Sequence, residues 1–249
     1  MFEMGDSKPM TTPMSTNTAL DVDENGEAVD QKEFRGMIGS LLYLTATRPD
    51  IQFVVCLCAR YQASPRTSHR QAVKRIFRYL KFTPELGLWY SSGSSLSLRG
   101  FSDADHVGCR IDRNVSLSTT EAEYIAAASC CSQLLWMKAT LSDFGLRFGK
   151  IPLLVDSTSA ISVAKNPVLH SRTKHIDVRF HFLRDHYEKG DIDLVHVVSA
   201  NQLADIFIKP LEFDTFTRLR GELGVEGVDN ALIKGEIESQ WTGLIALLV

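Results

Sequence analysis

Two carboxylates end a stretch, residues 96–105, whose alternating pattern is typical of a half-buried strand. These are Asp103 and Asp105, and the later acids that could meet them are Glu123, Asp156 and Asp205. Carboxylates gathered from separate elements repel one another unless cations lie between them. Oxygen ligands of this kind bind Mg²⁺ or Mn²⁺ in proteins. The residue types and their spacing therefore predict a divalent-metal site built from four elements.

The elements expected to carry these acids include both strands and helices. Asp156 ends a short apolar run that begins at residue 151, and Asp205 lies early in a short helix halted by Pro210. Asp156 could instead cap the helix that follows it. Its position at a strand end, which matches that of Asp103, favours the metal-binding alternative.

A capping box, Ser118-Thr-Thr-Glu, precedes a long apolar helix and assigns Glu121 to the first turn of that helix. Glu123 lies further into the helix, where the capping box does not account for an acid. A role in the metal site would account for it. If Thr120 were the cap, Glu123 would become the residue of the capping box. The spacing alone leaves both alternatives open.

Residues 30–85 show three helical patterns, interrupted at Pro49 and Pro65. From Arg60 to Pro84 the chain carries seven bases and no acid. The bases predicted to face outward from the third helix are Arg70, Lys74, Arg78 and Lys81. This basic face is either a solvated helix surface or a surface that contacts phosphates, and the sequence leaves both readings open.

Residues 1–29 have few large apolar groups and are predicted to be a disordered acidic tail. The formal net charge of −3 argues against a wholly basic nucleic-acid binder. The five cysteines lack a paired zinc spacing, which favours free thiols in a reducing compartment. Because we find no signal peptide and no run of roughly 20 apolar residues, we expect a cytoplasmic or nuclear protein that is not secreted and has no membrane partner.

Six motifs, in this order, resemble the C-terminal part of copia-type retrotransposon polyproteins, in which the end of the reverse transcriptase leads into a ribonuclease H domain. They are 48–51 (Arg-Pro-Asp-Ile), 72–80 (Ala-Val-Lys-Arg-Ile-Phe-Arg-Tyr-Leu), 101–105 (Phe-Ser-Asp-Ala-Asp), 117–126 (Leu-Ser-Thr-Thr-Glu-Ala-Glu-Tyr-Ile-Ala), 170–177 (His-Ser-Arg-Thr-Lys-His-Ile-Asp) and 203–207 (Leu-Ala-Asp-Ile-Phe). The similarity covers about residues 30–224.

The resemblance implies an α/β fold at 86–211, a ribonuclease H-like mixed sheet flanked by helices and truncated by loss of a β-hairpin. It also implies a helical remnant of the reverse transcriptase at 30–85, and the sequence that follows the domain predicts a C-terminal helix and tail at 212–249. In that family four carboxylates bind two divalent ions and hydrolyse the RNA strand of an RNA–DNA hybrid. One ion activates water and the other stabilises the leaving oxygen. Matched motif by motif, the catalytic and metal-binding acids are Asp103, Glu123, Asp156 and Asp205, with Mg²⁺ or Mn²⁺ as the cofactor.

The resemblance also implies an RNA–DNA hybrid as the partner, held by bases that contact phosphates without reading sequence. These bases are Arg70, Lys74, Arg78, Lys81, Arg172, Lys174 and Arg179. No Tyr-x-Asp-Asp polymerase signature occurs, so we expect no polymerase activity.

The chain departs from the family pattern between the first strand and the helix that starts near Ser118. A β-hairpin belongs there, but Asp112-Arg-Asn is joined almost directly to Val115-Ser-Leu-Ser. Loss of this hairpin predicts an exposed edge on the first strand and weak or absent hydrolysis. The alternatives are a non-catalytic remnant that binds nucleic acid and a chain that does not fold stably.

Overall fold

The computed structural model describes residues 7–17, 20–89, 96–104, 118–166, 177–227 and 243–246, with backbone only for 177–181 and 243–246. The chain forms two compact units, each assembled from two stretches of sequence. The first unit contains Met1–Ser91 and Lys209–Ser239, and the second contains Ser92–Ile208 and Gln240–Val249.

The elements follow one another as helices and short strands. The helices are α1 (Gln31–Leu44), α2 (Gln52–Ala59), α3 (Thr67–Phe82), α4 (Thr119–Asp143), α5 (Thr158–Lys165), α6 (Asp177–Glu188) and α7 (Phe213–Glu222). The strands are β1 (Leu86–Leu88), β2 (Ser97–Ser102), β3 (Ile151–Val155), β4 (Ile192–His196), β5 (Val225–Gly227) and β6 (Gly243–Ala246). No helix among the described residues is both long enough and apolar enough to cross a membrane.

The first unit contains α1, α2, α3 and α7 with a two-stranded antiparallel sheet, β1 with β5. Asp30 begins α1 because its carboxylate accepts the Glu33 N–H at 2.6 Å. Pro49 starts a short 3-10 turn that runs into α2, as its fixed φ predicts. Since β1 pairs with β5, residues 86–88 join the helical unit, whereas the resemblance assigns them to the nuclease domain.

A buried ion pair lies in this helical unit, where Arg48 and Asp50 are 4% and 2% exposed. Arg48 donates from Nε and Nη2 to the two Asp50 oxygens at 2.9 and 2.8 Å, and from Nη1 to the Thr83 carbonyl at 2.8 Å. The Tyr79 hydroxyl donates to Asp50 and accepts from Arg220 at 3.1 Å. Burial and the neighbouring Asp50 carboxylate raise the pKa of Tyr79 to about 12. The network joins the 3-10 turn that precedes α2 to α3 and α7.

Residues of the predicted acidic tail, 1–29, form hydrogen bonds with α3 where the structure describes them. Arg75 donates from Nε to the Thr12 carbonyl at 3.2 Å and from Nη2 to its hydroxyl at 3.0 Å. The Glu27 carbonyl accepts the Thr67 N–H at 3.0 Å. Composition does not indicate these contacts, because the partners are groups of α3, far along the chain.

The second unit is a four-stranded sheet with the order β4-β3-β2-β6, with α4, α5 and α6 packed around it. Its core contains Tyr124, Leu134, Leu153 and Ile192, each fully buried. Helices together with parallel strands confirm the predicted α/β class. The resemblance predicts a mixed sheet, but every described pairing in this sheet is parallel. The place where the resemblance predicts a hairpin falls within residues 105–117, which lie outside the described residues.

The edge of β2 that the missing hairpin would cover is paired, which corrects the predicted exposed edge. β6 lies parallel to β2, with Ser97 opposite Gly243 and Gly100 opposite Ala246. A strand from the C-terminal end of the chain thus supplies the partner. The prediction failed because it considered only the sequence between β2 and α4.

Gly100 allows α4 to approach β2 closely. A Cβ atom at this position would lie 2.5 Å from Leu134 Cδ1 and 3.1 Å from both Cys130 Sγ and Leu153 Cδ1. Such distances require the neighbours to move, and Leu134 is fully buried. The absence of a side chain at Gly100 is therefore part of how α4 is positioned.

We expect Gly100→Ala to destabilise the second unit by about 1–3 kcal/mol, the usual cost of overpacking a core. Urea unfolding followed by circular dichroism measures this change. Gly149→Ala is the matched control, because a Cβ there meets nothing within 4 Å. Equal effects at the two glycines would contradict the close-packing explanation.

The described cysteines, Cys56, Cys58, Cys130 and Cys131, are free thiols, as predicted. Burial raises the pKa of Cys58, Cys130 and Cys131 to about 12, so these thiols remain protonated at neutral pH. Cys109 lies outside the described residues.

Candidate metal centre

Two of the predicted acids lie side by side because the strands that carry them are parallel neighbours. Asp103 follows β2 and Asp156 follows β3, and the last residues of these strands, Ser102 and Val155, are paired in register. Parallel strands end at the same edge of a sheet, so both carboxylates emerge there. The helix cap that precedes α5 is Ser157, whose hydroxyl accepts the Ala160 N–H at 3.2 Å. Asp156 is therefore not needed as a cap.

The third acid, Glu123, is delivered by α4, which packs on β2. Ser118 caps this helix and accepts the Glu121 N–H at 3.2 Å, which confirms the predicted helix start and excludes Thr120 as the cap. Glu121 therefore belongs to the first turn of α4. Glu123 lies further into the helix and reaches the acids at the strand ends.

Asp103, Glu123 and Asp156 form one group, in which a ligand oxygen from each lies within 4.8 Å of the others. The Ala104 N–H lies between two of them and donates to Asp103 Oδ1 at 2.8 Å and to Glu123 Oε1 at 3.3 Å. The Ser199 hydroxyl donates to Asp156 Oδ2 at 3.0 Å. One backbone N–H thus joins Asp103 to Glu123, and a separate hydroxyl holds Asp156.

Burial and the surrounding negative charge raise the pKa of the Glu123 carboxyl to about 9. Desolvation is the largest cause, followed by the hydrogen bond and charge of Asp103 and the charge of Asp156, while the Ala104 N–H opposes them. Without a cation, this carboxyl is therefore protonated at neutral pH. A divalent ion would favour the ionised form instead.

The group fits a divalent cation that prefers hard oxygen ligands, such as Mg²⁺ or Mn²⁺. Glu123 Oε2 is buried and accepts no hydrogen bond from the part of the chain that the structure describes. A buried carboxylate oxygen of this kind costs free energy unless it gains a partner, and a metal ion is such a partner. The donor set thus supports the predicted kind of site, a divalent-cation site.

We expect the stability of the metal-free protein to fall as the pH rises from about 5 to about 9. The folded protein holds the Glu123 proton up to about pH 9, whereas the ordinary glutamate pKa is 4.5, so the native state binds more protons in this window. The free energy of unfolding should fall by at most about 1.4 kcal/mol per pH unit for one proton, and by less for a partly exposed carboxyl. Urea unfolding at several pH values in EDTA measures it.

Glu123→Gln is the control for this pH dependence, because it removes the titrating group while keeping its shape. The dependence of the unfolding free energy on pH should flatten in this variant. It should also flatten in the wild-type protein when saturating Mg²⁺ replaces the proton of Glu123. An unchanged slope in both would show that other groups cause it.

Asp205 lies in a 3-10 turn, Leu203–Phe207, and is 6% exposed. This turn contacts β2 but Asp205 is not a member of the three-carboxylate group. The structure therefore brings three of the four predicted acids together and places the fourth in a segment that packs beside them. Asp105, the alternative to Asp103, lies outside the described residues.

Gln202 is a residue that sequence reasoning missed. Its side chain is fully buried, and Nε2 donates to the Ser102 carbonyl at 2.9 Å. Ser102 and Gln202 are 100 positions apart, and glutamine is not a favoured helix cap, so no local pattern indicates this contact. The one available signal is that Gln202 directly precedes the motif that contains Asp205.

The predicted phosphate-binding bases are only partly described. On α3, Lys74 and Lys81 are exposed, whereas Arg70 and Arg78 are half-buried. Arg172 and Lys174 lie outside the described residues, and for Arg179 on α6 only the backbone is described. The structure thus shows two exposed lysines on the basic helix.

Three curated relatives are similar to most of this chain. Two are retrovirus-related Pol polyproteins of Arabidopsis thaliana, from transposon RE1 (36% identical, 89% of this chain) and transposon RE2 (35% identical, 88%). The third, from transposon TNT 1-94 of Nicotiana tabacum, is 31% identical over 90% of this chain.

The chain spans only 17 to 19% of the length of these three relatives. No family model matches it. No solved structure matches it either. The identity extends along nearly the whole chain in all three relatives, and this chain therefore belongs to the retrovirus-related Pol polyproteins of copia-type transposons.

Proposed function

We propose that the second unit hydrolyses the RNA strand of RNA–DNA hybrids with a divalent cation. The observation that carries this proposal is the convergence of Asp103, Glu123 and Asp156 within 4.8 Å, from two strand ends and one helix. The three Pol polyproteins similar to the chain support it. When bound, Mg²⁺ or Mn²⁺ supplies activation of water and stabilisation of the leaving oxygen.

The residues of the chain have separate parts in this proposal. Asp103 and Asp156 present carboxylates from adjacent strand ends, so their spacing follows from the pairing of β2 with β3. Glu123 gives up its proton when the cation binds, because the positive charge reverses the effect of the neighbouring acids. Asp205 is the fourth acid, presented by the turn beside β2.

Hydrolysis is proposed to be slower than in a relative that retains the hairpin. Carboxylates must be placed to within about 0.5 Å for such chemistry. Asp205 is not a member of the three-carboxylate group, so its oxygens do not lie within 4.8 Å of all three other acids. β6 covers the edge of β2 but runs parallel to it, unlike a hairpin strand. The site is therefore assembled but not fully preorganised.

The test is an assay of the full chain on an RNA–DNA hybrid with a label on each strand, in Mg²⁺, in Mn²⁺ and in EDTA. We expect cleavage of the RNA strand only, dependent on the cation, with DNA duplex of the same sequence left intact. A relative that contains the hairpin provides the rate for comparison. Absence of cleavage in both ions, with Mn²⁺ binding intact, would overturn the proposal.

A second candidate function is binding of nucleic acid without hydrolysis. The exposed Lys74 and Lys81 on α3 favour it, because surface bases on one helix can contact phosphates. Hybrid binding that weakens with salt and occurs without cleavage would support this candidate. Preference for the RNA strand in cleavage would instead support the nuclease.

A further inference from the structure

The segment from Ser199 to Ile208 is attached to the ends of both strands that carry the acids. The Ser199 hydroxyl donates to Asp156 Oδ2 at 3.0 Å, beside the end of β3. The Gln202 amide donates to the Ser102 carbonyl at 2.9 Å, at the end of β2. Because Asp103 directly follows Ser102, one hydrogen bond links this segment to the backbone beside the metal site.

Gln202 also caps the turn that contains Asp205. Its Oε1 accepts the Ala204 N–H at 3.3 Å, and its carbonyl accepts the Asp205 N–H at 3.3 Å. The side chain is 0% exposed, so both ends of the amide are satisfied inside the protein. An amide that hydrogen-bonds two backbone groups has a defined orientation, and it holds the two groups in a fixed position relative to each other.

We propose that Gln202 is a positioning residue that ties the turn of Asp205 to the strand end of Asp103, so that Asp205 serves the same metal site. The inference rests on the proposed metal-dependent function. Gln202 touches neither cation nor substrate and acts through the two segments it joins. A metal site depends on such support, because groups behind the ligands set where the ligands lie.

Gln202→Met tests the proposal, since methionine keeps the length of the side chain and removes both the donor and the acceptor. We expect the affinity for Mn²⁺ alone, titrated into the full chain and followed by electron paramagnetic resonance, to fall by about 10- to 100-fold. Gln133→Met is the matched control, because Gln133 is exposed on α4, and it should leave the affinity unchanged.

A double-mutant cycle with Asp205→Asn separates positioning from a purely structural role. In the wild-type background Asp205→Asn should weaken Mn²⁺ binding, and in the Gln202→Met background it should have a much smaller effect. Additive effects, or a lower melting temperature with unchanged Mn²⁺ affinity, would overturn the proposal.

A variant with a smaller change keeps the proposal testable if Gln202→Met does not fold. Gln202→Asn retains an amide that is one methylene shorter, and its Mn²⁺ affinity should still lie below that of the wild-type protein. Wild-type affinity in Gln202→Asn would count against positioning.

Failure of the nuclease proposal gives a different result. Wild-type protein that binds Mn²⁺ but cleaves no hybrid overturns the proposed hydrolysis, while the affinities still decide the role of Gln202. Wild-type protein that binds no Mn²⁺ overturns both.

Discussion

Replacing Asp103 with asparagine should lower cation-dependent hydrolysis of the hybrid by about 10²- to 10³-fold. Asp103 is the buried member of the three-carboxylate group. Its charge raises the pKa of Glu123 more than the charge of Asp156 does. The ion contributes several kcal/mol to transition-state stabilisation, and each 1.4 kcal/mol corresponds to about tenfold in rate. Initial rates of RNA-strand cleavage in Mg²⁺ measure the loss.

The same variant should also bind Mn²⁺ at least about tenfold more weakly, because one of three anionic ligands is lost. Glu121→Gln is the control, since Glu121 is an acid of the first turn of the same helix as Glu123. Its variant should retain cleavage, whereas Glu123→Gln should lose it. Loss in Glu121→Gln alone would show that the wrong glutamate has been assigned to the site.

Asp50→Ala should destabilise the helical unit by about 3–5 kcal/mol, the largest stability effect we expect in this chain. The substitution leaves the Arg48 guanidinium, 4% exposed, without its carboxylate partner. It also removes the acceptor of the Tyr79 hydroxyl. Urea unfolding followed by circular dichroism measures the change.

The control for Asp50→Ala is Asp193→Ala, which removes a carboxylate from an exposed ion pair. Asp193 lies 3.2 Å from Lys150, and both side chains are 46% exposed. Solvent screens such a pair, so its loss should cost about 0–1 kcal/mol. Similar effects of the two substitutions would refute the view that burial makes the Arg48–Asp50 pair important.

The sequence was sufficient for those parts of the site that depend on local rules. The capping box placed Ser118 and Glu121 correctly, and the acids at strand ends, Asp103 and Asp156, are neighbours because parallel strands end together. These rules involve residues within a few positions of one another or the general geometry of a parallel sheet.

The parts that sequence reasoning missed depend on partners far along the chain. Gln202 bonds the backbone at Ser102, and β6 pairs with β2 from the other end of the sequence. The sequence indicated Arg48 and Asp50 only as members of the motif at 48–51. It did not predict that they form a buried ion pair, because their burial results from packing by α3 and α7. No periodicity or spacing encodes such contacts, so the predicted exposed strand edge was wrong.

The helical unit is assembled from two separate stretches of sequence, and this affects how it forms during synthesis. Arg220 and Tyr79, which share a hydrogen bond, are 141 positions apart. Ribosomes add about 5–20 residues per second, so Tyr79 waits about 7–30 s for this partner to be synthesised. During that interval the early helices lack α7 and β5, so the apolar surface that these elements cover stays exposed.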